Sequence, residues 1–290
     1  MQTDLTNGSV LKNIALFSLP FFLSYFLQTL YGLADLFIIG QFDGVDSITA
    51  VSIGSQIMHM ITVMIVGLSM GTTVCIAQAV GAKDKEKLRY CIGNTVTVFF
   101  IVSLLLTGLL LFFTDFIVAV VKTPDEAVAG TKEYLIICFI GIPLITAYNI
   151  VSSILRGMGD SKSPMYFIAI ACVANIILDY VFIGYFKLGA VGAALGTTLS
   201  QGISVICALT YINRNNSSDS FSFAYLKLKG NIAKRLLRIG IPICAQDGFI
   251  QVAFMVITVI ANMRGLTDAA AVGIVEKLIS FIFLVPSSML

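Results

Sequence analysis

Eight predominantly apolar stretches, each of roughly 20 residues or more, divide this chain, and they leave it very few folds. They run near 11–40, 48–81, 90–113, 132–156, 165–186, 190–212, 237–262 and 269–290. A hydrocarbon core about 30 Å thick takes roughly 20 apolar residues in a helix. Lipid offers the backbone no hydrogen bonds, so a spanning segment must close its own, which selects helices over open sheet. Composition agrees: the 290 residues are 58% hydrophobic and 12% charged, where a soluble domain carries about 25% charged residues. The expected fold class is all-α, a polytopic membrane protein embedded in a lipid bilayer.

Basic residues set the orientation. Counted from an inside N-terminus, the inner segments hold Lys12, Lys83, Lys85, Lys87, Arg89, Arg156, Lys162, Arg214, Lys227, Lys229, Lys234, Arg235 and Arg238, which is 13 of 18. The outer loops hold Lys122, Lys132, Lys187 and Arg264, and Lys277 falls in the last apolar stretch. A 13 to 4 bias places the N-terminus in the cytoplasm of a multi-pass protein of the cell (inner) membrane. The polar start MQTDLTNG does not resemble a cleavable signal peptide. A net charge of +2 spread over loops gives no basis for a nucleic-acid partner. The six cysteines form no CxxC pair and read as small apolar fillers. No cofactor motif is present, and without a catalytic dyad or a pair of metal-binding histidines the chain reads as no enzyme.

The longest loop, 213–236, is polar and basic, and the chain repeats after it. The segment around IALFSLPFFLSYFLQTLYGLADLF pairs with LLRIGIPICAQDGFIQVAFMVITV; Pro20 falls on Pro242, and Ala50-Val51 on Ala271-Val272. Both copies enter from the cytoplasm, as in a parallel repeat. The expected organisation is a six-helix N-lobe over 1–212, a cytoplasmic linker over 213–236, and the first two helices of a repeated C-lobe over 237–290. Six helices before the linker and two after it lead us to expect a chain truncated by about four helices. A natural eight-helix protein is the alternative.

Polar groups inside these stretches carry the functional reading. A carboxylate in hydrocarbon costs several kcal/mol unless it meets a partner or a wet cavity. Asp35 and Asp179 each sit in an apolar stretch. Gln28 precedes Asp35 by two turns and shares its face, as Asn175 shares that of Asp179 four residues on. Depth along helices four and five predicts Asn149 near Asn175, and Thr197 on helix six adds a hydroxyl. These oxygens suit Na⁺, or a proton where burial favours the neutral carboxyl. Oxygen ligands alone do not choose between them, and no other metal is indicated. Gln246, Asp247 and Gln251 cluster in helix seven, either lining the same cavity or pairing with further helices. Pro20, Pro143 and Pro242 interrupt helices, and small residues in LGAVGAALGTTLSQG allow close helix approach.

Several motifs in order resemble the multidrug and toxic compound extrusion (MATE) family: LQTLYGLADLFIIGQ, VGLSMGTTVCIAQAVGAKD, ILRGMGDSKSP, and NIILDYVFI followed by GAVGAALGTTLSQ. They span most of residues 10–212. The resemblance implies twelve helices in two six-helix lobes, and export of cationic or amphiphilic small molecules against entering H⁺ or Na⁺. It places the coupling cation at Asp35, Asn149, Asn175, Asp179 and Thr197, and substrate-cavity positions at Gln28, Gln246 and Gln251. Some members carry a Glu in helix seven; here the region reads DGFIQVAF, with Gln251 near that spot. This departure points to a coupling site in the first lobe. A lipid-linked saccharide flippase of similar two-lobe build, or a non-transporting membrane subunit, are the other readings, and the oligomeric state is left unknown.

Overall fold

The computed structural model describes residues 10–214, 226, 229–264, 279 and 282, with the side chains of 10–15, 258, 259 and 261–264 outside that description. Every element among the described residues is helical. In chain order these are α1 (Val10–Phe42), α2 (Val45–Gly81), α3 (Lys85–Phe112), α4 (Thr114–Val120), α5 (Asp125–Ile140), α6 (Ile142–Gly157), α7 (Lys162–Asp179), α8 (Gly189–Arg214) and α9 (Gly230–Arg264). Six helices are long and apolar enough to cross a membrane: α1, α2, α3, α7, α8 and α9. A seventh span is the pair α5 and α6, bent by 48°. The expected eighth span, with Glu276 and Lys277, lies outside the described residues.

Local chemistry explains the boundaries. Asp84 precedes α3 and its side chain accepts the Lys87 backbone N–H at 2.9 Å, capping the first turn. The break at Gly141 falls two residues before Pro143, which occupies the first turn of α6, where its missing N–H costs nothing. Pro20 and Pro242 lie inside continuous helices. Ser24 Oγ donates to the Pro20 carbonyl at 2.9 Å, satisfying an acceptor beside the proline. After Asp179 the backbone widens into a π-helical turn over Tyr180–Tyr185.

α2 is the central post, packing on α3, α5, α6 and α9. Its seam with α9 is built from backbone. A Cβ added to Gly71 would collide with the Leu236 carbonyl oxygen, and one added to Gly240 with the Leu68 carbonyl oxygen. Such close approach is available only to residues without side chains. One apolar core gathers Ile38, Ile39, Ala50, Tyr134, Phe139 and Ile183, and a second gathers Ile76, Ile92, Phe99, Ile154 and Ile168. Phe112, Tyr185 and Phe249 project outward with exposures of 75–80%, as side chains in contact with lipid do. Outside water such exposure carries no hydrophobic penalty.

Candidate functional site

The two acids meet where α1, α7 and α8 pack together. Asp35 lies two turns before the end of α1, and Asp179 is the last α-helical residue of α7. π-helical turns often accompany functional positions, and this one begins at the residue after Asp179. Both carboxylates are fully enclosed, with exposures of 3% and 0%. They neighbour each other, and the Asn175 side chain lies beside Asp35. Thr197 Oγ1 on α8 donates to Asp35 Oδ2 at 3.2 Å.

Gly196 makes this meeting possible. A Cβ there would collide with Asp179 Oδ1 and sit 3.6 Å from Asn175 Nδ2. The preceding small residues Gly192 and Ala193 bring α8 close enough for Thr197 to reach α1. Tyr31 and Gln201, which the sequence reading did not single out, extend the polar group: Tyr31 interacts with both Gln201 and Asp35. Each stands one helical turn from a named residue, Tyr31 before Asp35 and Gln201 after Thr197, so the i, i+4 rule would have found them.

The group's polar atoms outnumber its hydrogen bonds. Asp35 Oδ1, both carboxylate oxygens of Asp179, both amide atoms of Asn175 and Gln201 Oε1 are buried without a hydrogen-bond partner. No basic side chain compensates: among the described residues the ion pair within reach is Lys132–Asp115 at 2.6 Å, which is solvent-exposed. Buried polar atoms left unmatched cost about 1–3 kcal/mol each, and charged ones more. Oxygen donors converging in this way suit a proton or a hard cation. No group of three or more His, Cys, Asp or Glu side chains forms among the described residues, so a multi-acid metal centre has no support there.

The structure places the other expected residues elsewhere. Asn149 donates through Nδ2 to the Ile145 carbonyl of its own helix at 2.8 Å. Its side chain lines a cavity with Gln28, Tyr25, Ser152 and Arg156, between α1, α2, α6 and α7. Gln246 is exposed on α9, Gln251 is half-buried, and neither lines that cavity. Asp247 packs over Gly67, where an added Cβ would stand 2.8 Å from its Oδ2. Arg156, counted among the inner-loop cations, is buried in the bundle at 8% exposure.

The MatE family model matches residues 20–181. The chain is 33% identical over 288 residues to the probable multidrug resistance protein YpnP of Bacillus subtilis, covering 97% of this chain and 63% of that protein. It is 27% identical to the multidrug export protein MepA of Staphylococcus haemolyticus, over 94% of this chain and 61% of the relative. A solved outward-facing structure of a multidrug resistance MATE family transporter superposes with a TM-score of 0.89 at 26% identity, covering 100% of this chain and 65% of the other. The chain thus spans somewhat under two thirds of the length of each of these proteins.

Proposed function

Because the chain belongs to the MatE family of membrane transporters, we propose that it works as a cation-coupled antiporter, exporting amphiphilic or cationic small molecules across the cell (inner) membrane against entering H⁺ or Na⁺. The observation that carries this reading is the enclosed pair Asp35 and Asp179, with Asn175 and Thr197 beside it and, among the described residues, no basic residue paired with it. The names of the relatives YpnP and MepA support small-molecule export. The 13 to 4 distribution of basic residues supports a cytoplasmic N-terminus. The repeat around Pro20 and Pro242 supports a division into an N-lobe, a linker over 213–236 and the start of a C-lobe.

The chemistry follows from charge. Two facing carboxylates in a dry site repel unless a proton or a monovalent cation lies between them. An arriving cation therefore draws Asp35 on α1 toward Asp179 and Asn175 on α7. Its departure releases them. α1 also lines the Asn149 cavity through Phe21, Ser24, Tyr25 and Gln28. A shift of α1 thus reaches both places, and Pro20, which lacks an N–H to bond to the turn before it, marks where the helix gives most readily. Cation binding and substrate binding are coupled through that one helix, and the coupling is reciprocal.

The test is ethidium efflux from intact cells expressing the chain, under separate Na⁺ and pH gradients, with the cation dependence of thermal stability measured on the purified chain. Asp35→Asn and Asp179→Asn should each remove both the gradient dependence and the stability response while inserting normally. Unchanged efflux and an unchanged response in both variants would sink this mechanism.

A further inference from the structure

Cations crowd one rim of the bundle, where α2 ends and both α3 and α9 begin. Lys83 stands in the turn from α2 to α3, Lys85 and Lys87 in the first turn of α3, and Lys234, Arg235 and Arg238 in the opening turns of α9. α9 packs on both α2 and α3. Lys87 and Arg235 come from different helices, yet both lie close to Cys75 and Cys91, which are buried beneath them. Arg235 Nη2 donates to Gln78 Oε1 on α2 at 2.6 Å, which uses one of its five N–H donors. The start of α9 is tied to α3 as well: the Lys229 backbone N–H donates to Asn94 Oδ1 at 2.7 Å, and Lys229 Nζ lies over the Tyr90 ring.

The α2–α9 seam is what forces these like charges together. Its carbonyl-to-glycine contacts at Gly71 and Gly240 fix the height of α9 against α2 and so hold Arg235 beside Gln78. The acids of this rim do not offset the cations. Asp84 Oδ1 is taken up in capping α3, and Glu86 is exposed. Among the described residues none of the six cations has an ion pair. Like charges held close repel unless an anion lies between them. A positive-inside bias places cations on one side of a membrane, but cations spread over separate loops would serve it equally. It does not account for two of them steered from two helices to one spot.

The anion follows from depth. α2, α3 and α9 are each long and apolar enough to cross a membrane, so their common end lies in the headgroup layer, where the concentrated anion is lipid phosphate. We propose that this rim binds the headgroup phosphate of an anionic phospholipid, held between Lys87 of α3 and Arg235 of α9, with Lys83, Lys85, Lys234 and Arg238 supplying the surrounding field. A phosphate gripped from both helices bridges α3 to α9, so its binding stabilises the packing of α9 on the rest of the bundle. The site is separate from the acid pair and does not depend on the export reading.

Lipid titration of thermal unfolding tests this. The whole chain in non-ionic detergent is titrated with phosphatidylglycerol and, separately, with phosphatidylcholine of the same acyl chains. Phosphatidylglycerol should raise the unfolding midpoint in a saturable way, and phosphatidylcholine should not. Lys87→Gln/Arg235→Gln should weaken the apparent affinity by about 30-fold, the effect of two cations at a membrane surface. Lys87→Arg/Arg235→Lys keeps both charges and should retain most of the response. Lys122→Gln/Lys187→Gln removes the same charge from the opposite rim and should titrate like the parent. Equal stabilisation by the two lipids overturns the proposal, since it shows no headgroup preference. Equal losses in the two Gln pairs overturn it as a net-charge effect. Inorganic phosphate that stabilises the chain as strongly as phosphatidylglycerol overturns it in favour of a soluble anion. If the Lys87→Gln/Arg235→Gln chain fails to fold, Lys87→Gln alone decides, because Lys87 is half-buried and has no ion pair to lose. It should weaken the affinity by about fivefold, and an unweakened titration overturns the site.

Discussion

Gly196→Ala is the smallest change that tests whether the acid pair is a built site. The new methyl would occupy the position of Asp179 Oδ1, so α8 must retreat or the carboxylate must turn away. Overpacking of a tight site costs about 1–3 kcal/mol. Replacing Gly by Ala inside a helix returns up to about 1 kcal/mol. The net cost is therefore about 0–3 kcal/mol in stability, which alone would say little. The control is Gly202→Ala on the same helix, whose added Cβ would meet only Leu144 Cδ1 at 3.6 Å, an ordinary contact. There only the propensity gain applies, so the two variants should differ by about 1–3 kcal/mol. The sharper readout is cation affinity. Turning one charged ligand aside removes about 1.5–3 kcal/mol of binding, roughly 10-fold to 150-fold. A cation that binds only the folded state raises stability by RT ln(1 + [L]/Kd). The midpoint of a thermal-stability titration with Na⁺, and of a parallel titration with pH in its absence, should move by that factor in whichever series the parent responds. Gly202→Ala should titrate like the parent. An unshifted midpoint in Gly196→Ala, or equal damage from Gly202→Ala, would refute the assignment of Asp179 to the cation.

The remaining predictions concern what holds the site in place. Gly71→Ala and Gly240→Ala each drive a methyl into a backbone carbonyl across the α2–α9 seam; each should lower stability by about 1–3 kcal/mol, read by thermal unfolding in detergent. Gly248→Ala meets only the flexible Met64 side chain at 3.4 Å and should be tolerated. Ser153→Ala removes both the Ser69 link and one Arg156 bond, and should cost about 2 kcal/mol, since it leaves a buried charged donor unmatched. Lys132→Ala breaks an ion pair that lies in solvent and should change stability by less than about 0.5 kcal/mol; a larger loss would show that the α4–α5 hairpin depends on it.

The spans were legible because a run of apolar residues is a sufficient physical cause for a membrane helix. The acids were legible for the converse reason, since Asp35 and Asp179 have no packing purpose in hydrocarbon. Their meeting needed one more fact, the bare backbone at Gly196, which a list of small residues suggests but does not aim. Asn149 shows where such reading stops. Depth along the helix suggested Asn149 near Asn175, but depth fixes only one coordinate. Each residue turns a helix by about a quarter to a third of a circle, and the 48° bend at Gly141 re-aims everything after it. The outcome is an Asn149 facing Gln28 and Arg156. Arg156 itself was hidden by its position at the end of an apolar stretch, where a basic residue ordinarily reaches water.

That misplacement matters to how the two sites relate. α1 presents Phe21, Tyr25 and Gln28 to the Arg156 cavity and Asp35 to Asp179, with Gln28 and Asp35 two turns apart along one face. α6 supplies Arg156 and Asn149 to the one, while α7 supplies Asn175 and Asp179 to the other. Among the described residues α1 reaches both, through Gln28 and Asp35, and α7 touches both, through Pro164 at one end and Asn175 and Asp179 at the other. The neighbours of α1 are fixed differently: α2 is locked to α9 through carbonyl-to-glycine contacts, and α7 to α8 through Gly196. On α1 a Cβ added to Gly32 would meet nothing and one added to Gly40 only Ile48 Cδ1 at 3.7 Å, so among the described residues its packing on α7 does not rest on a bare-glycine contact of α1. Under the proposed coupling, a change in charge at Asp35 is carried by the helix that also lines the Arg156 cavity, so the two places share one element.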